Sequence, residues 1–197
     1  VRYITNHSTG KMGYAIAKIA SRRGAEVTLV SGPTAEEEPA FVNVVNVCSA
    51  KEMFEAVKER AQEQDIIIKA AAVADYRPKH IRGSKMKKTE DGSDLTLELE
   101  RTDDILAYLG AHKKQGQFLC GFAMETEDLI ANAKRKLEKK RLDMIAANSL
   151  RVEGAGFGGN TNVVTVITKE KEVSLGKMTK EETAAELLTM IAEARKV

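Results

Sequence analysis

Segments with the apolar period of a helix alternate along this sequence with short apolar runs that are typical of buried strands. The predicted helices begin at Met12, Ser49, Asp104, Thr126 and Thr179. The predicted strands cover Val27–Val30, Phe41–Val47, Ile66–Ala70, Phe118–Phe122, Met144–Ala147 and Val163–Ile167, with alternating apolar residues also at Leu95–Leu99. Repeated strand–helix units of this length imply a mostly parallel sheet with helices on both faces, so the sequence predicts an α/β fold.

The last predicted strands depart from this alternation. Val163–Ile167 and a strand near Val173 are joined by a charged turn, Lys169–Glu172, which indicates a hairpin. The hairpin predicts an antiparallel extension at one edge of the sheet. Because the 197 residues show no internal repeat and no linker, we expect a single domain. Ligands of such sheets bind beyond the carboxyl ends of the strands, so the loops there are the candidate sites.

Composition excludes several classes of function. The 31 basic and 29 acidic residues leave a net charge of +2, which is too small for a protein that binds nucleic acid or anionic membranes over its whole surface. Cys48 and Cys120 each lie in an apolar run without a neighbouring Cys or His, which favours core residues in a reducing cytoplasm over a disulfide or zinc site. No run approaches the ~18 apolar residues of a membrane span, so we expect a chain without a membrane partner.

The loop before the first helix consists of small polar residues, Asn6 to Gly10, followed by Lys11. Backbone N–H groups and the dipole at a helix start favour an anion, so this loop is a candidate phosphate site. The alternative is a loop that caps the helix and binds nothing. No G-x-G-x-x-G motif is present, and Ser31 and Gly32 stand where an NAD-binding chain carries an acidic residue, which disfavours an NAD(P) oxidoreductase.

The second candidate loop follows the strand Ile66–Ala70 and runs from Ala71 to Pro78. Its alanines allow a planar ring to approach the backbone, and Asp75 can accept hydrogen bonds from an amino group of a base or from a ribose hydroxyl. Asp75 could equally cap a turn before Pro78.

A third candidate is the basic run from Arg77 to Lys88, with Gly83 and Ser84 at its centre. Charge without apolar periodicity around a glycine hinge suggests a mobile lid that closes over a polyanion. A solvated charge run and a nucleic-acid arm are the alternatives.

The fourth candidate is the helix predicted after the motif Gly121 to Thr126. Lys136 and Lys140 share one face of this helix, opposite an apolar stripe, and Phe122 ends the preceding strand. Either residue type could contact a ligand, or the lysines could be solvated and Phe122 could belong to the core. The glycine-rich loop from Gly154 to Gly159, followed by Asn160 to Asn162, is typical of a segment that approaches another group closely.

Five motifs occur in order along nearly the whole chain: N-H-S-T-G-K-M-G from Asn6, A-A-V-A-D-Y-R-P from Ala71, K-M-K-K from Lys85, G-F-A-M-E-T from Gly121 and G-A-G-F-G-G-N-T-N-V-V from Gly154. Together they resemble the phosphopantothenoylcysteine synthetase family, the phosphopantothenate–cysteine ligases of coenzyme A biosynthesis. The resemblance implies a Rossmann-like three-layer fold and a homodimer. It also implies that the chain is one ligase domain, 1–197, that lacks its first strand and an upstream FMN-dependent decarboxylase domain.

The resemblance implies a reaction in two steps, in which CTP with Mg²⁺ activates 4′-phosphopantothenate as an acyl-cytidylate and cysteine then forms the amide. Asn6, Arg2 and Lys85 match the residues that contact the intermediate, with Lys85 in a flap. The positions that match nucleotide contacts are Ala70, Ala71, Asp75, Lys85, Asp103, Asp104, Ile105, Leu106, Phe122, Lys136 and Lys140. Asp75 matches the residue that reads cytosine, and no metal ligand is assigned.

Two motifs differ from the family pattern. The family sequences A-N-D and S-D-x-N are A-N-S at Ala147 to Ser149 and G-N-T-N at Gly159 to Asn162 in this chain. The alternatives that stay open are a ligase of the same type that uses ATP and a nucleotide-binding module without activity.

Overall fold

In the computed structural model, residues 3–81, 83–84, 95–125, 127–149 and 159–195 are described. Within them the chain forms five α-helices, a 3-10 turn at Ala61–Glu63 and eleven strands. The helices are α1 (Lys11–Arg22), α2 (Ala50–Arg60), α3 (Ile105–Ala111), α4 (Leu129–Lys139) and α5 (Lys180–Ala194). The strands are β1 (Thr28–Ser31), β2 (Asn43–Asn46), β3 (Ile66–Lys69), β4 (Tyr76–Pro78), β5 (Leu99–Arg101), β6 (Phe118–Glu125), β7 (Met144–Ser149), β8 (Thr161–Asn162), β9 (Val164–Ile167), β10 (Glu172–Ser174) and β11 (Met178–Thr179).

A five-stranded sheet forms the centre of the molecule, with the order β10-β9-β7-β6-β3. β3, β6 and β7 run parallel, whereas β9 and β10 extend the sheet antiparallel at one edge. β1 and β2 pair in parallel, and β4 pairs antiparallel with β5 to form an arm. The predictions of an α/β fold, of a mostly parallel sheet and of an antiparallel hairpin edge are confirmed.

Apolar side chains cover both faces of the central sheet. On one face, Ala15 and Ile16 of α1 and Leu187 of α5 pack against Cys120 and Ala146. On the other face, Leu106 of α3 and Leu137 of α4 pack against Leu119 and Ile145. We call these the α1/α5 face and the α3/α4 face. Each strand therefore sends alternate side chains to two separate helical layers, which makes the three-layer arrangement.

Local signals place the helix ends where the sequence predicts them. Ser49 accepts a hydrogen bond from the Glu52 N–H at the start of α2, and Thr179 and Glu182 form a reciprocal capping box at the start of α5. Asp104 caps α3 through the Ala107 N–H. Gly24 adopts φ +86° after α1, the left-handed conformation that favours glycine. These caps explain why the predicted and observed helices agree.

Several predicted boundaries are wrong. Phe41 lies outside β2 with φ 61° and is exposed, because the strand pairing with β1 begins only at Asn43. Most of the alternating segment Leu95–Leu99 precedes β5, which begins at its last residue. β6 continues past Phe122 to Glu125 because β7 pairs with it over that length. Asp128 is the N-cap of α4, whereas the predicted cap Thr126 lies outside the described residues.

No helix in the described ranges is long and apolar enough to cross a membrane.

Candidate functional site

The N-terminal segment contacts the loops that follow β3 and β1. The side chain of Asn6 donates hydrogen bonds to the carbonyl oxygens of Ala72 and Val73, 3.3 and 3.2 Å away, in the loop after β3. The hydroxyl of Thr34, in the loop after β1, donates to the carbonyl of Thr9 at 2.8 Å. Asn6 is exposed, so it holds the loop after β3 while its side chain stays accessible from solvent.

Five charged side chains gather where β3 ends and α3 begins, and we call them the charged cluster. Its members are Lys69, Asp75, Asp104, Lys136 and Lys140. The Lys140 ammonium lies 3.1 Å from Oδ1 and 3.0 Å from Oδ2 of Asp104. Partial burial opposes the ionisation of Asp104, but the Ala107 N–H and the ammonium groups of Lys140 and Lys69 hold its pKa below the ordinary value. Asp104 is therefore a firmly ionised hydrogen-bond acceptor near neutral pH.

Lys140 reaches Asp104 because α3 and the end of α4 are in backbone contact. A Cβ atom at Gly110, in the last turn of α3, would lie 1.8 Å from the Lys140 carbonyl oxygen. Since only glycine leaves that space empty, Gly110 fixes the approach of the two helices. The Lys140 side chain then extends from one end of α3 to the N-cap at the other. α4 also has the predicted apolar stripe, with Ala133 and Leu137 buried.

Lys69 is the last residue of β3 and is half-buried. Burial lowers the pKa of its ammonium, the positive charges of Lys140 and Lys136 lower it further, and the carboxylates of Asp104 and Asp75 oppose the shift. Residue-by-residue sequence analysis missed Lys69. The available signal was a lysine directly after three isoleucines of a buried strand, where a charge is costly without partners.

An open cavity of about 310 Å³ adjoins the charged cluster and is lined by Asp75, Tyr76, Arg101, Thr102 and Asp104. The Thr102 hydroxyl donates to the Ala74 carbonyl at 2.6 Å, and the Thr102 N–H donates to the Asp75 carbonyl at 3.0 Å. These bonds anchor the loop after β3 to the segment before α3. The cavity can accept a polar ligand that presents hydrogen-bond donors to two carboxylates.

The residues predicted to contact the nucleotide differ in how far their side chains are exposed. Asp103 is exposed beside Asp104, but the side chains of Ile105 and Leu106 are buried in the core, so only their backbone could meet a ligand. Ala70 and Ala71 are half-buried, and a Cβ at Gly13 of α1 would lie 3.9 Å from the Ala70 methyl.

Phe122 lies within β6 and packs on the α1/α5 face, whereas the charged cluster lies against α3 and α4. Arg2, Lys85 and most of the glycine-rich loop lie outside the described residues.

The start of the basic run is not a free lid. Arg77 pairs with Glu100 at 2.8 Å, and Lys79 pairs with Glu98, both across the β4–β5 arm. The tail of the run, from Lys85, lies outside the described residues. The prediction of a lid is therefore wrong for Arg77 and Lys79 and stays a prediction for Lys85.

A second polar group lies on the α1/α5 face, and we call Asn148, Asn160, Asn162, Lys180 and Lys11 the amide cluster. Asn162 Oδ1 accepts from Asn148 Nδ2 at 3.3 Å and from the Lys180 ammonium at 3.2 Å. Lys11, in the first turn of α1, donates to Asn160 at 2.9 Å. The buried Oδ1 of Asn148 accepts no hydrogen bond from any described group. The A-N-S and G-N-T-N motifs thus meet in one cluster.

Anion binding by the loop before α1 stays a prediction. Gly10, with φ 78°, precedes the helix, no described side chain caps it, and its first turn carries no acidic residue. In the part of the chain that the structure describes, no three His, Cys, Asp or Glu side chains are grouped as metal ligands.

Comparison with known proteins gives a consistent relationship. Residues 1–194 match the family described as the DNA/pantothenate metabolism flavoprotein C-terminal domain. A Vibrio vulnificus protein named coenzyme A biosynthesis bifunctional protein CoaBC is 47% identical over 191 residues, which cover 97% of this chain and 48% of that protein. The Bacillus subtilis protein of the same name is 47% identical over 198 residues, covering 100% of this chain and 48% of its own length.

A solved structure supports the same relationship. The crystal structure titled as the C-terminal domain of coenzyme A biosynthesis bifunctional protein CoaBC is 45% identical and matches with a TM-score of 0.81, covering 97% of this chain and 85% of that one. The chain belongs to the DNA/pantothenate metabolism flavoprotein C-terminal domain family. It spans about half the length of the curated relatives that it matches.

Proposed function

We propose that this chain is a phosphopantothenate–cysteine ligase domain that consumes CTP in coenzyme A biosynthesis. The observation that carries the proposal is the charged cluster beside the open cavity, in a chain whose relatives are named for coenzyme A biosynthesis. Two carboxylates and adjacent lysines offer acceptors for a base or ribose and positive charge for phosphates.

The first step forms an acyl-cytidylate. A carboxylate oxygen of 4′-phosphopantothenate attacks the α-phosphorus of CTP, and the bond to pyrophosphate breaks. Asp75 and Asp104 orient the nucleoside, while the N–H groups at the start of α1 donate hydrogen bonds to phosphate oxygens. Mg²⁺ accompanies the triphosphate and neutralises part of its charge. Lys85 of the predicted flap and Arg2 add positive charge around the intermediate.

The second step forms the amide. The cysteine amine attacks the acyl carbon, the bond to CMP breaks, and the amine loses a proton to solvent. Asn6 donates hydrogen bonds to the loop after β3, and in this proposal its amide also contacts the acyl group of the intermediate. Positioning and charge stabilisation of this kind require no strong base.

The proposal includes a homodimer. Leu95, Leu97 and Leu99, at the start of β5 and just before it, are 61%, 48% and 43% exposed, and Tyr76 of the paired strand is also exposed. Apolar side chains exposed together favour burial against a second copy of the chain. The proposal also includes a fused flavin decarboxylase domain in the whole protein, since the relatives are about twice as long and named bifunctional.

The test is a reconstitution. The chain is mixed with 4′-phosphopantothenate, cysteine, Mg²⁺ and either CTP or ATP, and both pyrophosphate and amide are measured. We expect amide to form in the mixture with CTP and not in the mixture with ATP. Amide with ATP would indicate the alternative nucleotide, and pyrophosphate without amide would locate a defect in the second step. If neither pyrophosphate nor amide forms, the result would contradict the ligase and favour a nucleotide-binding module.

Asn6→Asp tests the role of the amide. The substitution replaces a donor by a carboxylate that faces two carbonyl oxygens, so we expect single-turnover amide formation from the acyl-cytidylate to slow by about 100-fold. Formation of the intermediate should change less. Asn43→Asp, an exposed amide on β2, is the matched control. Unchanged single-turnover amide formation in Asn6→Asp would remove Asn6 from the mechanism.

A further inference from the structure

We propose that Lys69 is a positioning residue of the nucleotide site, holding Asp75 and Asp104 as hydrogen-bond acceptors for the amino and hydroxyl groups of the nucleotide. The inference deepens the proposed function and rests on it. Lys69 matches none of the residues that the sequence motifs assign to the reaction.

The sheet directs Lys69 toward α3. Lys69 pairs in register with Gly121 of β6, and register partners in a parallel sheet present their side chains to the same face. A Cβ at Gly121 would lie 2.8 Å from Leu106 of α3, which identifies that face. Ile67, two residues before Lys69, packs in the same α3/α4 core. The Lys69 side chain therefore emerges from this core toward the N-cap of α3, where Asp104 lies.

The charge balance explains why a lysine can occupy this place. Lys69 lies within electrostatic range of two further positive charges, on Lys136 and Lys140, and of two negative charges, on Asp75 and Asp104. A half-buried ammonium is costly unless carboxylates compensate it. The same attraction helps to hold Asp104 ionised beside the cavity that it lines. The remaining positive charge suits an anionic ligand.

Lys140 does not make Lys69 redundant. Lys140 already contacts both oxygens of Asp104 from the α4 side, whereas Lys69 reaches the cluster from the end of β3, directly before the loop that carries Asp75. Lys69 is the member of the charged cluster that lies on the strand, within electrostatic range of both carboxylates. Loss of Lys69 should loosen nucleotide binding while leaving the fold and the acyl-transfer step intact.

The test compares Lys69→Met, Lys69→Arg and the control Lys51→Met, an exposed lysine on α2. CTP binding is measured by calorimetry, separately from amide formation, and thermal unfolding is measured on the same samples. For Lys69→Met we expect about tenfold weaker CTP binding, a tenfold higher KM for CTP and an unchanged kcat and KM for 4′-phosphopantothenate. Lys69→Arg should restore most of the affinity, and Lys51→Met should behave as the wild type.

The pH profile separates positioning from a structural role. Because the Lys69 charge helps to hold the pKa of Asp104 low, its removal should move the acid limb of CTP binding to higher pH. Unchanged CTP affinity and an unchanged acid limb would overturn the inference, as would an equal loss of affinity for all substrates. If Lys69→Met does not fold, Lys69→Gln takes its place with the same expected tenfold weaker CTP binding, and failure of both to fold decides against the inference. CTP binding without amide formation in the wild type would contradict the ligase but not the role of Lys69, whereas no nucleotide binding would contradict both.

Discussion

The charged cluster and the amide cluster lie on opposite faces of the same sheet. They differ in how their polar groups are paired and in how far these groups are exposed to solvent. The charged cluster pairs ammonium groups with carboxylates that remain half-exposed beside an open cavity. The amide cluster is closed on itself, with Asn148, Asn162 and Lys180 buried and joined by hydrogen bonds. Accessible charge suits recognition of a charged ligand, whereas enclosed amides mainly stabilise the junction of α1, α5 and β7.

The two clusters should also differ in what they contribute to the free energy of folding. Ionised groups near solvent contribute little to folding and remain available to a ligand. Buried amides contribute through the hydrogen bonds that they make, whereas a buried acceptor without one, such as Asn148 Oδ1, and a buried ammonium cost free energy. We therefore expect substitutions in the charged cluster to change nucleotide binding, and substitutions in the amide cluster to change stability.

Gly110→Ala should have the largest effect on the charged cluster. The added methyl would meet the Lys140 carbonyl oxygen at 1.8 Å, so α4 must shift, at a cost of about 2–3 kcal/mol in the free energy of unfolding. The shift should also separate Lys140 from Asp104 and weaken CTP binding. Urea unfolding and calorimetry measure the two effects. Gly176→Ala is the control, because a Cβ there meets nothing within 4 Å. Equal stability of the two variants would contradict the close helix contact.

Asp104→Asn should separate binding from folding. Asparagine caps a helix about as well as aspartate, so the free energy of unfolding should change by less than about 1 kcal/mol. The lost charge should weaken CTP binding about tenfold. Asp65→Asn, which makes the same change at the start of β3, should leave CTP binding unchanged. A large loss of stability with unchanged CTP affinity would contradict the assignment of the charged cluster to nucleotide binding.

Lys180→Met should have the smallest effect and concerns the amide cluster. Burial lowers the pKa of Lys180, and Lys11 lowers it further. Between that lowered pKa and the ordinary value of 10.5, the folded chain binds fewer protons than the unfolded chain, so the free energy of unfolding rises with pH. Lys180→Met should remove part of this rise. It should also increase the free energy of unfolding by up to about 1 kcal/mol at neutral pH, because a buried charge is removed.

The control for this substitution is Lys177→Met, an exposed lysine before β11. Unfolding curves at several alkaline pH values measure the slope. A slope that persists unchanged in Lys180→Met would show that another group accounts for the pH dependence.

Much of the fold could be predicted from the sequence because its signals are local. Capping boxes at Ser49 and Thr179, the helical period before Gly24 and the apolar strands all act within a few residues. The short strand Tyr76–Pro78 was missed because its pairing with Leu99–Arg101 is a tertiary property. The length of β6 depends in the same way on its pairing with β7.

The site was only partly predictable. Asp75 and Lys140 were singled out from the loop and the helix that carry them, Asp104 came from the resemblance to known ligases, and the structure brings the three together. Lys69 gave no periodic or motif signal, since its neighbours come from two helices that approach through Gly110. The meeting of Asn148 with Asn162 likewise depends on how β7 and β8 pack, which is a tertiary property.

The most direct test of the charged cluster as the nucleotide site is calorimetric titration of CTP and ATP, with Mg²⁺, into the wild-type chain, Asp104→Asn and Asp65→Asn. The account predicts that the wild type and Asp65→Asn bind CTP more tightly than ATP and that Asp104→Asn binds CTP about tenfold more weakly. Equal binding of CTP and ATP by the wild type, or unchanged CTP affinity in Asp104→Asn, would contradict it.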